Sequence, residues 1–212
     1  MTRSIRIVKI GGNVVNNPDA LASFLADFVK LPGQKILVHG GGREATRLSA
    51  ALGIETTMIN GRRVTDRETL DVVTMVYAGL VNKRIVAALQ ALGCDAIGLS
   101  GADADVIRAT RRPATPVDFG YVGDIDDEDV AESVLAMLLR NGLTPVFCAI
   151  THDRQGQLLN CNADSVAAAV ACAASRIHPA SLIYCFEKPG VLSDADDDNS
   201  VISLITPENY AS

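Results

Sequence analysis

The chain has 212 residues, a net charge of −6 at pH 7, 48% hydrophobic residues and 21% charged residues. These values are ordinary for a globular protein and exclude a disordered tail, a collagen-like chain and a low-complexity linker. The acidic balance argues against a general binder of nucleic acid, so any phosphate contact must depend on local geometry.

Membrane and disulfide chemistry receive no support from the sequence. No run of 18 apolar residues and no basic-then-apolar leader is present, and the five cysteines form no C-x-x-C pair. These features favour a cytoplasmic protein with free, buried thiols and no membrane partner. They also exclude a zinc knuckle or a redox dithiol as the basis of function.

The predicted elements alternate between strands and helices in chain order, which indicates an α/β fold with an open, mainly parallel sheet and helices on both faces. The predicted strands are residues 5–10, 35–39, 95–99, 144–148 and 181–186. The first predicted helix runs from Pro18, capped by Asn17, to a stop at Gly33, and the second runs from the turn at 40–42 to Leu52. The third covers 66–92, the fourth runs from a cap at Asp126 or Asp127 to Arg140, and the fifth covers 163–176. Short hairpins are expected over 105–125 and around Gly156. A soft boundary divides the chain into lobes at 1–165 and 166–212.

Two glycine turns end the first two strands, where open α/β sheets bind their ligands. They read Lys9-Ile10-Gly11-Gly12 and His39-Gly40-Gly41-Gly42. Glycines allow backbone N–H groups to approach an anion closely, and the second turn opens a helix whose N-terminus attracts negative charge. No Lys-Ser or Lys-Thr follows either turn, which excludes a P-loop, and the looser dinucleotide pattern at 40–45 lacks its acidic partner. A lysine beside a glycine turn favours a phosphoryl group.

Two further polar clusters are candidates for a site. The sequence Asn160-Cys161-Asn162-Ala163-Asp164 interrupts an apolar region at a strand-to-helix junction, and Arg62-Arg63 lies in a turn before a capped helix. A guanidinium group suits a carboxylate. The alternatives left open are a simple helix-terminal charge for Asp164 and a solvated surface pair for the arginines. The acidic run at 194–199 fails the calcium-loop template, and no metal ligand is predicted.

These motifs, in this order along the chain, resemble those of the acetylglutamate kinase branch of the amino acid kinase family. The resemblance also includes Asn82-Lys83 and Gly190-Val191-Leu192 and covers essentially the whole chain. It implies a three-layer sandwich that uses MgATP to phosphorylate the γ-carboxylate of an N-acyl-L-glutamate in arginine biosynthesis.

The resemblance also implies a role for each candidate residue. Lys9 would stabilise the transferring phosphoryl group and Asp164 would orient Lys9. Gly11, Gly12, Gly41 and Gly42 would surround the phosphate, and Arg63, Asn160 and Asn162 would bind the acyl amino acid with Gly41 and Gly42. ATP would lie over Glu187, Lys188, Gly190, Val191 and Leu192. Mg²⁺ would be held mainly through the phosphates. The long third helix and the sheet edge beside it would form a homodimer, and the helix carries the apolar residues Val72, Val73, Met75, Val76 and Tyr77 for this contact.

Two departures from the family pattern leave other functions open. Phe186-Glu187 replaces a Ser/Thr-Asp pair, and no residue of this sequence matches the family's second lysine, which follows a Gly-Met pair. We therefore expect these 212 residues to bind both substrates weakly, to show negligible turnover and to lose order after about residue 205, where Thr206-Pro207 starts a helix. The alternatives are another carboxylate or phosphate kinase of this fold, or a ligand-binding member without turnover.

Overall fold

A parallel five-stranded sheet forms the centre of the molecule. The computed structural model describes residues 4–186, 188–194 and 196–206. Its strands are β1 (Ile5–Ile10), β2 (Gln34–His39), β5 (Ala96–Leu99), β8 (Thr144–Cys148) and β11 (Ala180–Cys185). Their order in the sheet is β11-β1-β2-β8-β5, and every neighbouring pair is parallel. The predicted α/β class and its five strands are confirmed.

The helices pack in two groups against this sheet. Helices α6 and α7 contact each other, and α7 packs on β1 and β11, whereas α2 contacts α5, which packs on β5 and β8. The helices are α1 (Gly12–Asn16), α2 (Pro18–Lys30), α3 (Gly42–Ala51), α4 (Arg67–Thr74), α5 (Asn82–Ala91), α6 (Glu132–Arg140) and α7 (Ala163–Ile177). As predicted, the Asn17 side chain caps α2, where it accepts hydrogen bonds from the amides of Asp19 and Ala20. The short α1 was not predicted.

The long helix at residues 67–91 is interrupted by a π-helical segment, Met75–Val81, which joins α4 to α5. Among the described residues it is the one helix long and apolar enough to cross a membrane by length and composition alone. Its Val73, Val76 and Ile85 are fully buried, as in a core helix. Leu80 lies in the π segment and is partly exposed, because the wider π turn departs from regular helical spacing.

Helix α6 starts later than predicted. Asp126 and Asp127 do not cap it, because residues 129–131, which directly precede the helix, pair with the extended residues 106–108. The Arg108 amide donates to the Asp129 carbonyl, and the Ala131 amide donates to the Val106 carbonyl, both at 2.9 Å. The helix therefore begins at Glu132 without a side-chain cap.

The described residues also form three small antiparallel pairs of strands outside the central sheet. They are β3 (Met58–Ile59) with β4 (Arg62–Arg63), β6 (Thr110–Arg111) with β7 (Gly123–Asp124), and β9 (Ile150–His152) with β10 (Leu158–Asn160). The Asn160 amide donates to the Tyr121 carbonyl, and the Thr65 amide donates to the Phe119 carbonyl, both at 2.9 Å. These bonds bring β4, which carries Arg63, and β10, which carries Asn160, to the same loop at residues 119–121.

Candidate active site

A cavity of about 200 Å³ lies where the glycine turn after β2 meets β4 and the β10–α7 junction. It is lined by Gly40, Gly41, Gly42, Met58, Gly61, Arg62, Arg63, Tyr77, Val122, Ala149, Asn160, Cys161, Asn162 and Ala163. Its volume is below the roughly 300–1,000 Å³ of clefts that hold drug-sized ligands, so it suits a small metabolite. The structure therefore brings together five of the predicted binding residues: Gly41, Gly42, Arg63, Asn160 and Asn162.

The glycine turn is shaped by an aromatic ring that packs against it. Gly41 precedes α3, and a Cβ atom built on it would lie 2.7 Å from Cδ1 of Tyr77, far too close for a side chain. Glycine is therefore required at position 41 by the ring of Tyr77. The ten-residue helix α3 starts beside the cavity without a side-chain cap, and a helix N-terminus of this kind favours an anion.

Arg63 is a buried cation at the side of the cavity. The residue is only 8% exposed, and its Nη2 donates to the Gly42 carbonyl at 2.9 Å and to Oγ1 of Thr46 at 2.8 Å. Its Nη1 donates to Oγ1 of Thr56 at 3.2 Å. These partners fix the guanidinium against the glycine turn, but none of them is charged. In the described part of the chain, no carboxylate forms an ion pair with it.

Tyr77 lies next to Arg63 in this wall. Burial raises the pKa of the Tyr77 hydroxyl above its ordinary value, and the charge and hydrogen bonding of Arg63 oppose this rise. Sequence reasoning missed Tyr77 as a site residue, because it lies in an apolar stripe that predicts only core packing. Its one possible signal was an aromatic residue with a polar group among aliphatic neighbours.

In the polar cluster at residues 160–164, some side chains line the cavity and others stabilise the start of helix α7. Nδ2 of Asn160 donates to Oγ1 of Thr65 at 3.0 Å, which holds the buried carboxamide in place. The Asn162 side chain caps α7 by accepting from the Asp164 amide at 2.7 Å. Burial raises the pKa of the Cys161 thiol to about 12, so it lines the cavity as a neutral group.

Lys9 and Asp164 form an ion pair beside this cluster. Nζ of Lys9 lies 2.8 Å from Oδ1 of Asp164, with the lysine side chain 16% exposed and the aspartate side chain 52% exposed. Lys9 comes from β1 and Asp164 from the first turn of α7, immediately after the cavity residue Ala163. The ammonium group is thus held at the carboxyl end of the sheet, although it does not line the cavity itself.

The first glycine turn is used differently from the second. The Gly11 amide donates to the Cys185 carbonyl at 2.9 Å, and Gly12 is the first residue of α1. Neither glycine lines the cavity. Phosphate contacts by Gly11 and Gly12 therefore stay a prediction, and one through the Gly11 amide would compete with a bond to β11.

The segment predicted to bind ATP lies outside the cavity, on the side of β11. Lys188 contacts Asp198 at 2.6 Å, and a Cβ on Gly190 would lie 2.8 Å from Cγ1 of Val201. Val191 is exposed, and Leu192 forms an antiparallel bridge with Val201. Glu187 and the predicted helix start at 207–208 lie outside the described residues. This segment is a surface hairpin, and its nucleotide contacts stay a prediction.

A sequence model described as the amino acid kinase family matches residues 4–212. A protein of Phocaeicola vulgatus named acetylglutamate kinase is 55% identical over 210 residues, covering 99% of this chain and 81% of that one. The acetylglutamate kinase of Bacteroides thetaiotaomicron is 53% identical over 210 residues, again 99% and 81% of the two chains. A crystal structure from Streptococcus mutans UA159 superposes with a TM-score of 0.76 at 28% identity, covering 89% of this chain and 74% of that one.

Proposed function

Because the chain belongs to the amino acid kinase family and resembles proteins named acetylglutamate kinase, we propose that it transfers the γ-phosphate of ATP to the γ-carboxylate of an N-acyl-L-glutamate in arginine biosynthesis. N-acetylglutamate or a close analogue is the acceptor. The acceptor binds in the cavity beside Gly41 and Gly42.

The observation that carries this assignment is the buried guanidinium of Arg63. A buried charge is costly unless it is paired, and the described residues supply only neutral partners to this one. An anionic ligand in the cavity would complete its pairing. A carboxylate has the planar geometry that a guanidinium binds best, and Asn160 adds a fixed amide to the same wall.

The chemistry follows from these groups without a general base. A γ-carboxylate is already ionised at pH 7, so its oxygen can attack the γ-phosphorus directly. The new bond joins that oxygen to phosphorus, the bond to the β–γ bridging oxygen breaks, and ADP leaves with the electron pair. Lys9, oriented by Asp164, stabilises the charge on the phosphoryl oxygens, together with N–H groups of the glycine turns. This accounts for a site without a histidine or cysteine nucleophile.

Mg²⁺ fits this arrangement through the nucleotide rather than through the protein. Among the described residues no cluster of three His, Cys, Asp or Glu side chains could hold a metal ion, and Asp164 is engaged by Lys9. Mg²⁺ usually keeps few protein ligands and binds substrate phosphates. When bound, it would neutralise phosphate charge, while the described side chains hold the acceptor and the transferring group.

The remaining parts of the proposal concern the nucleotide, the assembly and the compartment. We place ATP over 187–192, in the lobe that begins at 166, and we expect a cytoplasmic homodimer. The valines of the long helix do not supply the dimer surface as expected, since Val72, Val73 and Val76 are buried within the chain. Met75, at 53% exposure, is the most exposed large apolar residue of that helix. Light scattering at micromolar concentration tests the dimer.

The decisive experiment compares acceptors. Calorimetric binding and phosphate transfer are measured with N-acetylglutamate, N-succinylglutamate and aspartate, with ATP and Mg²⁺ present. Transfer to an acylated glutamate in preference to aspartate supports the proposal. Preference for aspartate would assign a different carboxylate kinase. Binding of the acylated glutamates without any transfer would agree with the negligible turnover expected from the missing second lysine, and it would indicate a ligand-binding member instead.

A further inference from the structure

A buried histidine lies directly behind the second glycine turn. His39 is the last residue of β2 and has no exposed surface. Its Nδ1 lies 2.7 Å from the Gly40 carbonyl oxygen, and its Nε2 lies 3.0 Å from Nδ2 of Asn82 on α5. Burial lowers the pKa of the imidazole to about 4, so His39 is neutral at pH 7. The cavity residues do not include it.

The neighbours of Asn82 determine which imidazole nitrogen carries the proton. Nδ2 of Asn82 also donates to the Val146 carbonyl at 2.9 Å, and Oδ1 of Asn82 accepts from Nζ of Lys83 at 3.0 Å. The carboxamide orientation is therefore fixed, and its NH₂ group faces His39. Nε2 must accept, so Nδ1 carries the hydrogen and donates it to the Gly40 carbonyl.

Strand β5 leaves space for the Asn82 side chain, because it carries a glycine, Gly98, at the point of contact. A Cβ atom on Gly98 of β5 would lie 1.9 Å from Oδ1 of Asn82 and 2.8 Å from Nζ of Lys83. Nζ of Lys83 also donates to the Gly98 carbonyl at 3.1 Å. Glycine at position 98 is thus needed for the Asn82 side chain, although it lies two strands away from β2.

We propose that His39, held by Asn82, is a positioning residue that aims the Gly41 N–H at the phosphoryl group. The peptide between Gly40 and Gly41 is planar and trans, so its C=O and N–H point in opposite directions. A donor that holds the Gly40 carbonyl on one side therefore sets the direction of the Gly41 N–H on the other. In the described part of the chain, the Gly41 amide donates to no other group, so it is available to a ligand.

The energetic reason is the flexibility of the turn. Three consecutive glycines have access to many backbone conformations, and a phosphate-binding N–H is effective only when its direction is fixed before the reaction. Displacement of a reacting group by about 1 Å can cost about 10²-fold in rate. The buried hydrogen bond of His39 supplies the constraint that the glycines lack. This inference rests on the proposed function for its catalytic consequence.

Two substitutions of His39 test the roles of Nδ1 and Nε2 separately. In His39→Asn the side-chain NH₂ occupies the region of Nδ1 and keeps a donor for the Gly40 carbonyl. In His39→Gln the side-chain amide reaches the region of Nε2, and the donor to Gly40 is lost. We expect His39→Gln to lower kcat about 10²-fold with little change in the KM of either substrate, whereas His39→Asn stays within about tenfold of the unaltered protein. Gly98→Ala, which displaces Asn82, should lower kcat in the same way from a distant position.

Some outcomes would overturn the inference. Equal losses in His39→Asn and His39→Gln, in variants with unchanged thermal unfolding, would mean that the ring acts only by packing. Unchanged kcat in His39→Gln would mean that the turn needs no such support.

A spectroscopic measurement tests the inference independently of turnover. The ¹⁵N spectrum of the protein labelled at histidine should show His39 with its proton on Nδ1. The Gly41 amide resonance should move more in His39→Gln than in His39→Asn. A proton on Nε2, or equal Gly41 shifts in both variants, would contradict the hydrogen-bond arrangement. Absence of phosphate transfer in the unaltered protein would overturn the proposed function but leave this measurement valid.

Discussion

The cavity and the hairpin after β11 are held together in different ways. In the cavity, Arg63 and Asn160 are held by partners from other elements of the chain, as in the bond between Asn160 and Thr65, which are 95 residues apart. In the hairpin the bonds are local, for example between Ser193 and Ser200, and Val191 and Leu204 are exposed. The acceptor end of the molecule is therefore preorganised, whereas the segment proposed for the nucleotide is supported mainly by itself. Substitutions in the cavity should therefore affect catalysis and acceptor binding, whereas substitutions in the hairpin should have small effects.

The largest effect is expected at Lys9, on the edge of the preorganised region. Lys9→Ala removes the charge that stabilises the transferring phosphoryl group, so kcat should fall roughly 10²–10³-fold while the fold is kept. Steady-state kinetics and a thermal unfolding curve check this result. Lys30→Ala is the matched control, since Lys30 also pairs with an aspartate, at 2.9 Å, but on an exposed helix surface. Near-normal turnover of Lys9→Ala would remove the lysine from the mechanism.

Arg63 tests whether the cavity binds the acceptor and not the nucleotide. Loss of a charge-assisted contact of roughly 1.5–3 kcal/mol predicts that Arg63→Ala weakens acyl-glutamate binding about 10–100-fold, with a much smaller change for ATP. Calorimetry with each substrate measures both constants. The adjacent Arg62 also lines the cavity but is more exposed, so Arg62→Ala should have a smaller effect. Equal weakening of both substrates by Arg63→Ala would contradict the division between the two regions.

Gly41 and Tyr77 test how tightly the glycine turn is packed. Gly41→Ala places a Cβ against the Tyr77 ring, and overpacking of this kind costs about 1–3 kcal/mol. Thermal unfolding should therefore show a clear destabilisation. The double variant Gly41→Ala with Tyr77→Ala should regain part of the stability lost in Gly41→Ala, relative to Tyr77→Ala alone. Strictly additive losses would show that the ring does not limit position 41.

The smallest effect is expected in the hairpin. Lys188 and Asp198 are both exposed, and a pair of this kind contributes about 0–1 kcal/mol to stability. Lys188→Ala should leave thermal unfolding almost unchanged and raise the KM for ATP a few-fold, with no change for the acyl-glutamate. A strong effect on acyl-glutamate binding would show that the two regions are coupled more closely than their contacts indicate.

The sequence by itself determined the order of strands and helices, since hydrophobic spacing, Asn17 as a cap and the glycine stops are local signals. The same locality explains the errors. Asp126 and Asp127 are good caps in isolation, but the pairing of residues 129–131 with residues 106–108 delays the helix to Glu132. The valines of the long helix predict a surface, but the sheet and neighbouring helices bury them.

In the candidate site, too, some features were predicted from the sequence and others were found only in the tertiary structure. The family resemblance implied that Lys9 acts with Asp164 and that Arg63 acts with Asn160, and the structure brings the residues of each pair together. Only the tertiary structure revealed that Tyr77 shapes the glycine turn, and that Gly98 leaves space for the amide that orients His39. Such contacts join residues from separate strands and helices. They depend on how side chains fill the space between elements, and a residue pattern along one chain carries no record of that packing.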